Sequence, residues 1–348
     1  MKFAILGDTH LGARSASSHF SKHFNRFFTE VFYPHLIKNG IQEVIQLGDF
    51  FDDRTKLSVK AYNECKAAWL QPLATNGIHM HILVGNHDSL HKNSIKVNTP
   101  ELILQQEFRD SVTIYSRPAV LDLGGTTISM IPWICDDNRE AVFKFFQNNR
   151  TDLCCGHFEI DGFDMQRGVP GHGGLPRDIF DKFEATFSGH YHTQSYDELT
   201  RIRYVGTPYE ITFADANDPR GFHVFDTETR SVEFIANPFT MFERVVYNEG
   251  WSGDAGSMVG KIVKLVVEKK SDLYQFDRFV DSLKLAGTYE LQIIENFADI
   301  ANAEIEGEVK LEDSQAIIEN YIDGLTTAVD KQRLKEYVQG LYLEAIAK

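Results

Sequence analysis

HILVGNHD, residues 81–88, reads as a short buried strand, a glycine, and then three side chains that can bind or serve a metal. An apolar run of this length closed by a turn signal suits a strand buried on both faces. The glycine lets the backbone pass close to whatever Asn86 and His87 hold. One such stretch says little. The same pattern is written four more times, as FAILG before Asp8, VIQLG before Asp49, DLCCG before His157 and ATFSG before His190. Two of these add a second candidate two residues on, in Asp8-Thr9-His10 and His190-Tyr191-His192.

Parallel strands of an α/β sheet present their C-terminal ends along one edge, where ligands bind. Five such ends would bring together Asp8, His10, Asp49, Asn86, His157, His190 and His192. Carboxylate, carboxamide oxygen and imidazole without thiolate suit two divalent ions of the Mn, Fe or Zn kind. Mn²⁺ is expected to serve best, with Fe or Zn as alternatives. Mg²⁺ is expected to be weaker, because it disfavours imidazole. A two-metal centre suits hydrolysis of phosphate esters.

Asp8-x-His10, Gly48-Asp49-x-x-Asp52, Gly85-Asn86-His87-Asp88, His157 and Gly189-His190-x-His192 together resemble the motif set of the calcineurin-like metallophosphoesterases. Within that superfamily the chain resembles the SbcD-type nucleases, the nuclease subunits of SMC-like DNA-repair complexes. Pro132-Trp133, Gly206-Thr207-Pro208 and Asn217–Phe222 (NDPRGF) add to the likeness. It is dense over residues 1–230 and only architectural beyond them. It implies that Asp49 bridges two ions, with Asp8, His10 and His192 around one and Asn86, His157 and His190 around the other. It also implies that His87 faces the phosphate as the acid–base group and that Asp52 orients it, whereas Asp88 fixes the turn. The resemblance further implies a DNA substrate, an SbcC-type coiled-coil ATPase partner, and a homodimer within a heterotetramer. Two other readings stay open at this point: a phosphoesterase acting on a small-molecule or protein phosphate ester, and a non-catalytic scaffold for DNA ends.

The chain has 348 residues, 43% of them hydrophobic and 24% charged, which is ordinary for a globular protein of one large and one small domain. No run of apolar residues is long enough for a membrane span, and the N-terminus starts directly on a strand without a leader pattern, so a cytoplasmic protein (host cytoplasm if phage-encoded) is expected. Cys65, Cys135, Cys154 and Cys155 lack metal-site spacing and read as small buried apolar residues in a reducing compartment. The net charge of −15 counts against strong DNA binding by this chain alone, because phosphate contacts supply most nucleic-acid affinity.

Along the chain, residues 19–38 read as a helix whose Phe20, Phe24, Phe27, Phe28 and Val31 pack into a core, with Pro34 kinking or ending it. Ser58 is expected to cap a helix running to Ala74 and stopped by Asn76-Gly77. Thr99-Pro100 reads as the N-cap and first residue of another helix. Gly124-Gly125 reads as a two-residue hairpin turn, and residues 161–176 as a surface loop. His172 in that loop is a weaker candidate to face substrate. The whole is expected to be an α+β fold, a four-layer α/β/β/α sandwich over residues 1–237. Residues 238–300 are expected to form a small α/β capping domain, with a boundary around 238–260 marked by Pro238 and the glycine-rich stretch 248–260. An acidic linker (301–313) then leads to two amphipathic helices (314–348). Their apolar stripe, including Leu334, Tyr337, Val338 and Leu341, is expected to bind the ATPase partner or to fold back on the chain.

Overall fold

The computed structural model describes residues 1–166, 169–171 and 173–295. In chain order, β1 (Lys2–Leu6), β2 (Glu43–Gln46), β3 (His79–Leu83) and β4 (Val112–Tyr115) are parallel neighbours in one sheet. A second sheet follows, from β5 (Ala119–Leu123), β6 (Thr126–Ile131), β7 (Leu153–His157), β8 (Ala185–Gly189), β9 (Ser195–Asp197) and β10 (Ile202–Tyr204). Its core strands β6, β7, β8 and β10 are again parallel. The chain then returns to the first sheet with β11 (Gly221–Asp226), antiparallel to β1, and β12 (Val232–Ala236). Each sheet has six strands, in the orders β12-β11-β1-β2-β3-β4 and β9-β10-β8-β7-β6-β5.

Alternation along the strands makes the layers. Phe3, Ile5, Ile45 and Leu83 of the first sheet meet Ile128, Met130, Leu153, Cys155 and Phe187 of the second in a fully buried seam. Ala4, Leu6, Val44 and Ile82 point the other way, into a core closed by helices. Three abutting segments, Ser18–Phe27, Phe28–Phe32 and Tyr33–Asn39, form helix α1, and Val59–Trp69 and Gln71–Asn76 form α2 and α3. On the far side, Val142 and Phe146 of α4 (Arg139–Asn148) pack with Ile131, Cys154 and Phe158. The neighbouring cysteines Cys154 and Cys155 therefore serve opposite faces of β7. The expected four-layer sandwich is the observed one.

Most local expectations match, and the departures have physical causes. The aromatic stripe of α1 is core, but Pro34 does not end the helix: the Tyr33 amide bonds back five residues to Phe28, and the widened turn accommodates the proline. Ser58 caps α2 by accepting from the Ala61 amide, and Gly77 closes α3 with φ 62°. Thr99 does not cap the next helix. Asn98 does, its side-chain oxygen accepting from the Glu101 amide at 2.9 Å while Thr99 is already helical. Gly124 and Gly125 both take positive φ, as the hairpin turn of β5 and β6 requires. Within the stretch expected to be loop, Asp164–Gln166 pairs with Val169–Pro170.

The small C-terminal unit has three parallel strands, β13 (Phe242–Asn248), β14 (Ile262–Lys269) and β15 (Glu290–Ile294), with helix α5 (Leu273–Leu285) over one face. Sequence reading missed β13. The expected boundary region opens at Pro238, just ahead of β13, whereas residues 248–260 connect β13 to β14 inside the unit and their glycines mark an internal turn. The junction is tight. Glu210 is buried and accepts from the amides of Met241 and Phe242 at 2.6 and 2.8 Å. His19 stacks on Tyr289 at 3.6 Å and bonds the Gly260 carbonyl at 2.7 Å. The acidic linker, the two terminal helices with Leu334, Tyr337, Val338 and Leu341, and His172 lie outside the described residues.

Candidate metal centre

The parallel strands of both sheets end at one edge, and each end delivers side chains to the same spot. β1 leads through Gly7 to Asp8 and His10, β2 through Leu47-Gly48 to Asp49, and β3 through Val84-Gly85 to Asn86 and His87. β7 ends on His157, and β8 leads to His190 and His192. The glycines are there because nothing larger fits. A Cβ on Gly85 would overlap the Asp49 amide and carboxylate, and one on Gly189 would crowd Asp8 and the Leu47 carbonyl. Three of the delivered residues, His10 (φ 44°), Asp49 (φ 50°) and His190 (φ 85°), sit in the left-handed region, strain that clusters at functional sites.

The structure brings all seven sequence candidates together. Ligand atoms of Asp8, His10 and His192 lie within 4.8 Å of one another, and so do those of Asp49, His157 and His190. Asn86 belongs with the second group: its side-chain oxygen is 2.8 Å from His157 Nε2 and 3.0 Å from His190 Nδ1. Asp49 reaches toward both groups, 4.0 Å from His10 and 3.4 Å from His157. A third triad joins His10, Asp49 and His87.

The donor chemistry fits cations. His157 donates its Nδ1 proton to the Leu47 carbonyl at 2.8 Å, which leaves Nε2 as a lone pair in the neutral ring. That lone pair faces the Asn86 oxygen, an acceptor. His10 Nε2 and His192 Nε2 likewise face each other at 3.0 Å. Only a proton or a metal ion satisfies such pairs. Burial disfavours charge on His157, yet the carboxylates of Asp49 and Asp8 outweigh it and raise the imidazole to about 9. Burial likewise raises Asp8 to about 6, with the neighbouring Asp49 charge adding to it. Burial would raise Asp49 as well, but His157 and His87 beside it keep it strongly acidic. The cluster is thus short of positive charge, and divalent ions would supply it.

The next shell was partly legible in the sequence. Asp88 is fully buried and accepts from the amides of Gly85, Phe50 and Phe51, tying the β2 and β3 ends together, as the turn role expected of it requires. Asp52 supports two residues: its backbone carbonyl takes the His87 Nδ1 proton at 2.6 Å, and its carboxylate lies 3.2 Å from His10 Nδ1. Sequence reading had paired Asp52 with His87 only. The role of Arg220 was not assigned, although it lies in NDPRGF. Its buried guanidinium donates to the His192 carbonyl and to Thr207 Oγ1, and pairs with Asp215 at 3.1 Å and Asp218 at 3.4 Å. Trp133 packs its ring 5.1 Å from His190 and 6.0 Å from His157.

Residues 1–194 match the model of the calcineurin-like phosphoesterase family. The chain belongs to that family. The match covers the strand ends that carry all seven candidate ligands. The chain is also similar to exonuclease subunit 1 of Enterobacteria phage T4, 32% identical over 348 residues and covering 99% of each chain. With the SbcD component of the SbcCD nuclease of Staphylococcus epidermidis it is 24% identical over 200 residues, 54% of this chain and 52% of that one. A solved structure described as a novel archaeal phosphodiesterase covers 68% of this chain at 10% identity and a TM-score of 0.35, an overlay too loose to add to the assignment. No helix among the described residues is long and apolar enough to cross a membrane.

Proposed function

We propose that this phosphoesterase is a DNA nuclease that hydrolyses phosphodiesters with two divalent ions, Mn²⁺ best, in both exo- and endonucleolytic modes. The observation that carries it is the pair of ligand clusters at the strand ends with Asp49 between them, in one cluster and 4.0 Å from His10 of the other, and His87 beside them. The names of the two similar proteins, each a nuclease subunit, support a nucleic-acid substrate and a partner subunit. In this reading the substrate is DNA and the partner an SbcC-type coiled-coil ATPase, in a heterotetramer built on a homodimer of this chain, acting in recombination and double-strand-break processing in the cytoplasm. Residues 1–237 are the nuclease domain in this reading and 238–300 the capping domain.

Asp8, His10 and His192 would hold one ion, Asn86, His157 and His190 the other, and Asp49 both. When bound, such ions neutralise the phosphate and activate water for in-line attack on phosphorus. The chain's own groups do the rest. The Leu47 carbonyl fixes the His157 tautomer, so that Nε2 points to the site. The Asp52 carbonyl does the same for His87, leaving its Nε2 to hold the proton that the departing sugar oxygen needs. The His87 backbone amide donates to Asp49 Oδ1 at 2.7 Å, which ties the acid to the shared carboxylate.

Purified protein given Mn²⁺ should degrade labelled linear duplex or single strand, and should stop in EDTA. Asp49→Ala should remove both activity and bound metal. Activity that persists in EDTA would end the two-metal reading. The second reading, a small phosphate ester as substrate, is favoured by the net charge of −15. Cleavage of p-nitrophenyl phosphate esters without any cleavage of DNA would establish it.

A further inference from the structure

Beside the metal centre lies a cavity of about 120 Å³ whose wall is formed in part by His157 itself. Trp133, Arg139, Phe158, Glu159 and Leu175 also line it. Two of these groups have unspent hydrogen-bonding capacity. The indole N–H of Trp133 is buried and donates to nothing among the described residues. Such a buried donor costs free energy unless a partner arrives. Arg139, at the first position of α4, is exposed and forms no ion pair among the described residues; its guanidinium rests only over the Phe143 ring, 5.4 Å away. An uncommitted cation is notable in a chain of net charge −15. Glu159 is the one acidic residue in the wall, and it argues against a free dianion held by charge alone.

Resting on the nuclease reading above, we propose that this cavity is a subsite for a phosphate of the nucleotide next to the scissile bond. Arg139 would serve as its counter-ion, and the Trp133 indole, whose N–H is covered in this structure, would turn into the cavity to serve as its neutral donor. A backbone phosphate is a monoanion flanked by a sugar, so it tolerates Glu159 while offering oxygens to both donors. The position explains why it would matter. Trp133 and His157 belong at once to this wall and to the surroundings of one metal cluster, so a strand seated here would bring its neighbouring phosphodiester toward that cluster. The subsite then measures one nucleotide along the strand and favours a polynucleotide over an isolated phosphate ester.

The 3′-methyl diester of thymidine 3′,5′-bisphosphate can fill both positions and puts a monoanion in the subsite, whereas thymidine 5′-monophosphate can fill only one. In Mn²⁺, calorimetry on the full chain should show the bisphosphate diester binding about tenfold more tightly, the usual worth of a hydrogen-bonded charge. Arg139→Gln should erase that preference, and Trp133→Phe, which keeps the ring and removes the N–H, should reduce it several-fold. In turnover, Arg139→Gln should cost about tenfold more with an oligonucleotide, mainly in KM, than with bis(p-nitrophenyl) phosphate. Equal losses on both substrates, or equal binding of both nucleotides by the unaltered chain, would overturn the subsite. An unaltered chain that hydrolyses the nitrophenyl diester but no oligonucleotide would overturn the nuclease reading, and the subsite with it.

Discussion

His87 shows how far one residue can be read without a structure and where that reading stops. Its place after Gly85-Asn86 assigned it to the site. What the sequence could not show is that its Nδ1 proton is spent on a backbone carbonyl, because such bonds leave no residue signature. On the proposed roles, chemistry and metal binding separate at this residue. His87→Ala keeps the backbone amide that bonds Asp49, so both ions should stay while the rate falls by roughly two to four orders of magnitude, the usual worth of a positioned acid. Metal analysis of the purified variant decides the matter, and ions lost along with activity would make His87 a ligand. A second residue, His223, owes its behaviour chiefly to burial. Neither ring nitrogen has a partner, and burial, with Arg203 nearby, lowers its pKa to about 3. The unfolded chain takes up a proton near pH 6.5 that the folded chain refuses, so stability is lost as pH falls from about 6.5 toward 3 and not above it. At about 1.4 kcal/mol per unit, the full penalty is on the order of 5 kcal/mol. Chemical denaturation at pH 7 and pH 5 should show the slope, and His223→Leu should flatten it.

At the scale of elements, the repeated strand–glycine–ligand pattern exposed the active edge, since parallel strands that end in glycine leave room only for one another's side chains. Elements were misread where tertiary contacts decide. β13 lies between Pro238 and the glycines of 248–260, which together read as one boundary, and it is defined by pairing with β14 and by the Glu210 carboxylate that receives its first amide. The segment from Thr207 to Arg220 carries little regular structure, yet it sets the position of His192. Arg220 binds that residue's carbonyl, Thr207, Asp215 and Asp218 at once, as only a guanidinium fork can. Removing one partner of a buried charge pair typically costs about 3–5 kcal/mol. Arg220→Ala should therefore lower the denaturation midpoint strongly. It should also weaken metal binding at the cluster of Asp8, His10 and His192 more than at the other. Arg220→Lys should recover part of the stability but not the metal affinity. A variant that binds both ions normally after correction for stability would show that Arg220 only supports the fold.

For the whole molecule, charge and layout pose one question together. On the nuclease reading, a chain of net charge −15 would have to meet a polyanion, and two bound ions with the uncommitted Arg139 beside them would supply only local positive charge. Coulombic repulsion over the rest of the surface is screened beyond about 8–10 Å in physiological salt, so it slows encounter more than it weakens contacts at the site. A second protein carrying a basic surface would resolve this, and the sequence after the acidic run at 301–313 offers the means of holding one. Residues 314–323 and 327–346 each place apolar side chains at helical spacing, Leu334, Tyr337, Val338 and Leu341 among them, and such stripes need a cover. We infer that the cover is the coiled coil of the ATPase partner, bound in helix-in-groove fashion. The small unit of residues 242–295 already has its own core and its own tight junction to the sandwich, so it does not require these stripes for closure. Deleting residues 314–348 should then leave Mn²⁺-dependent cleavage by the isolated chain nearly intact. It should abolish co-purification with the ATPase and any stimulation by ATP. A truncated chain that unfolds, or that binds the ATPase with unchanged affinity, would instead assign both stripes to the fold.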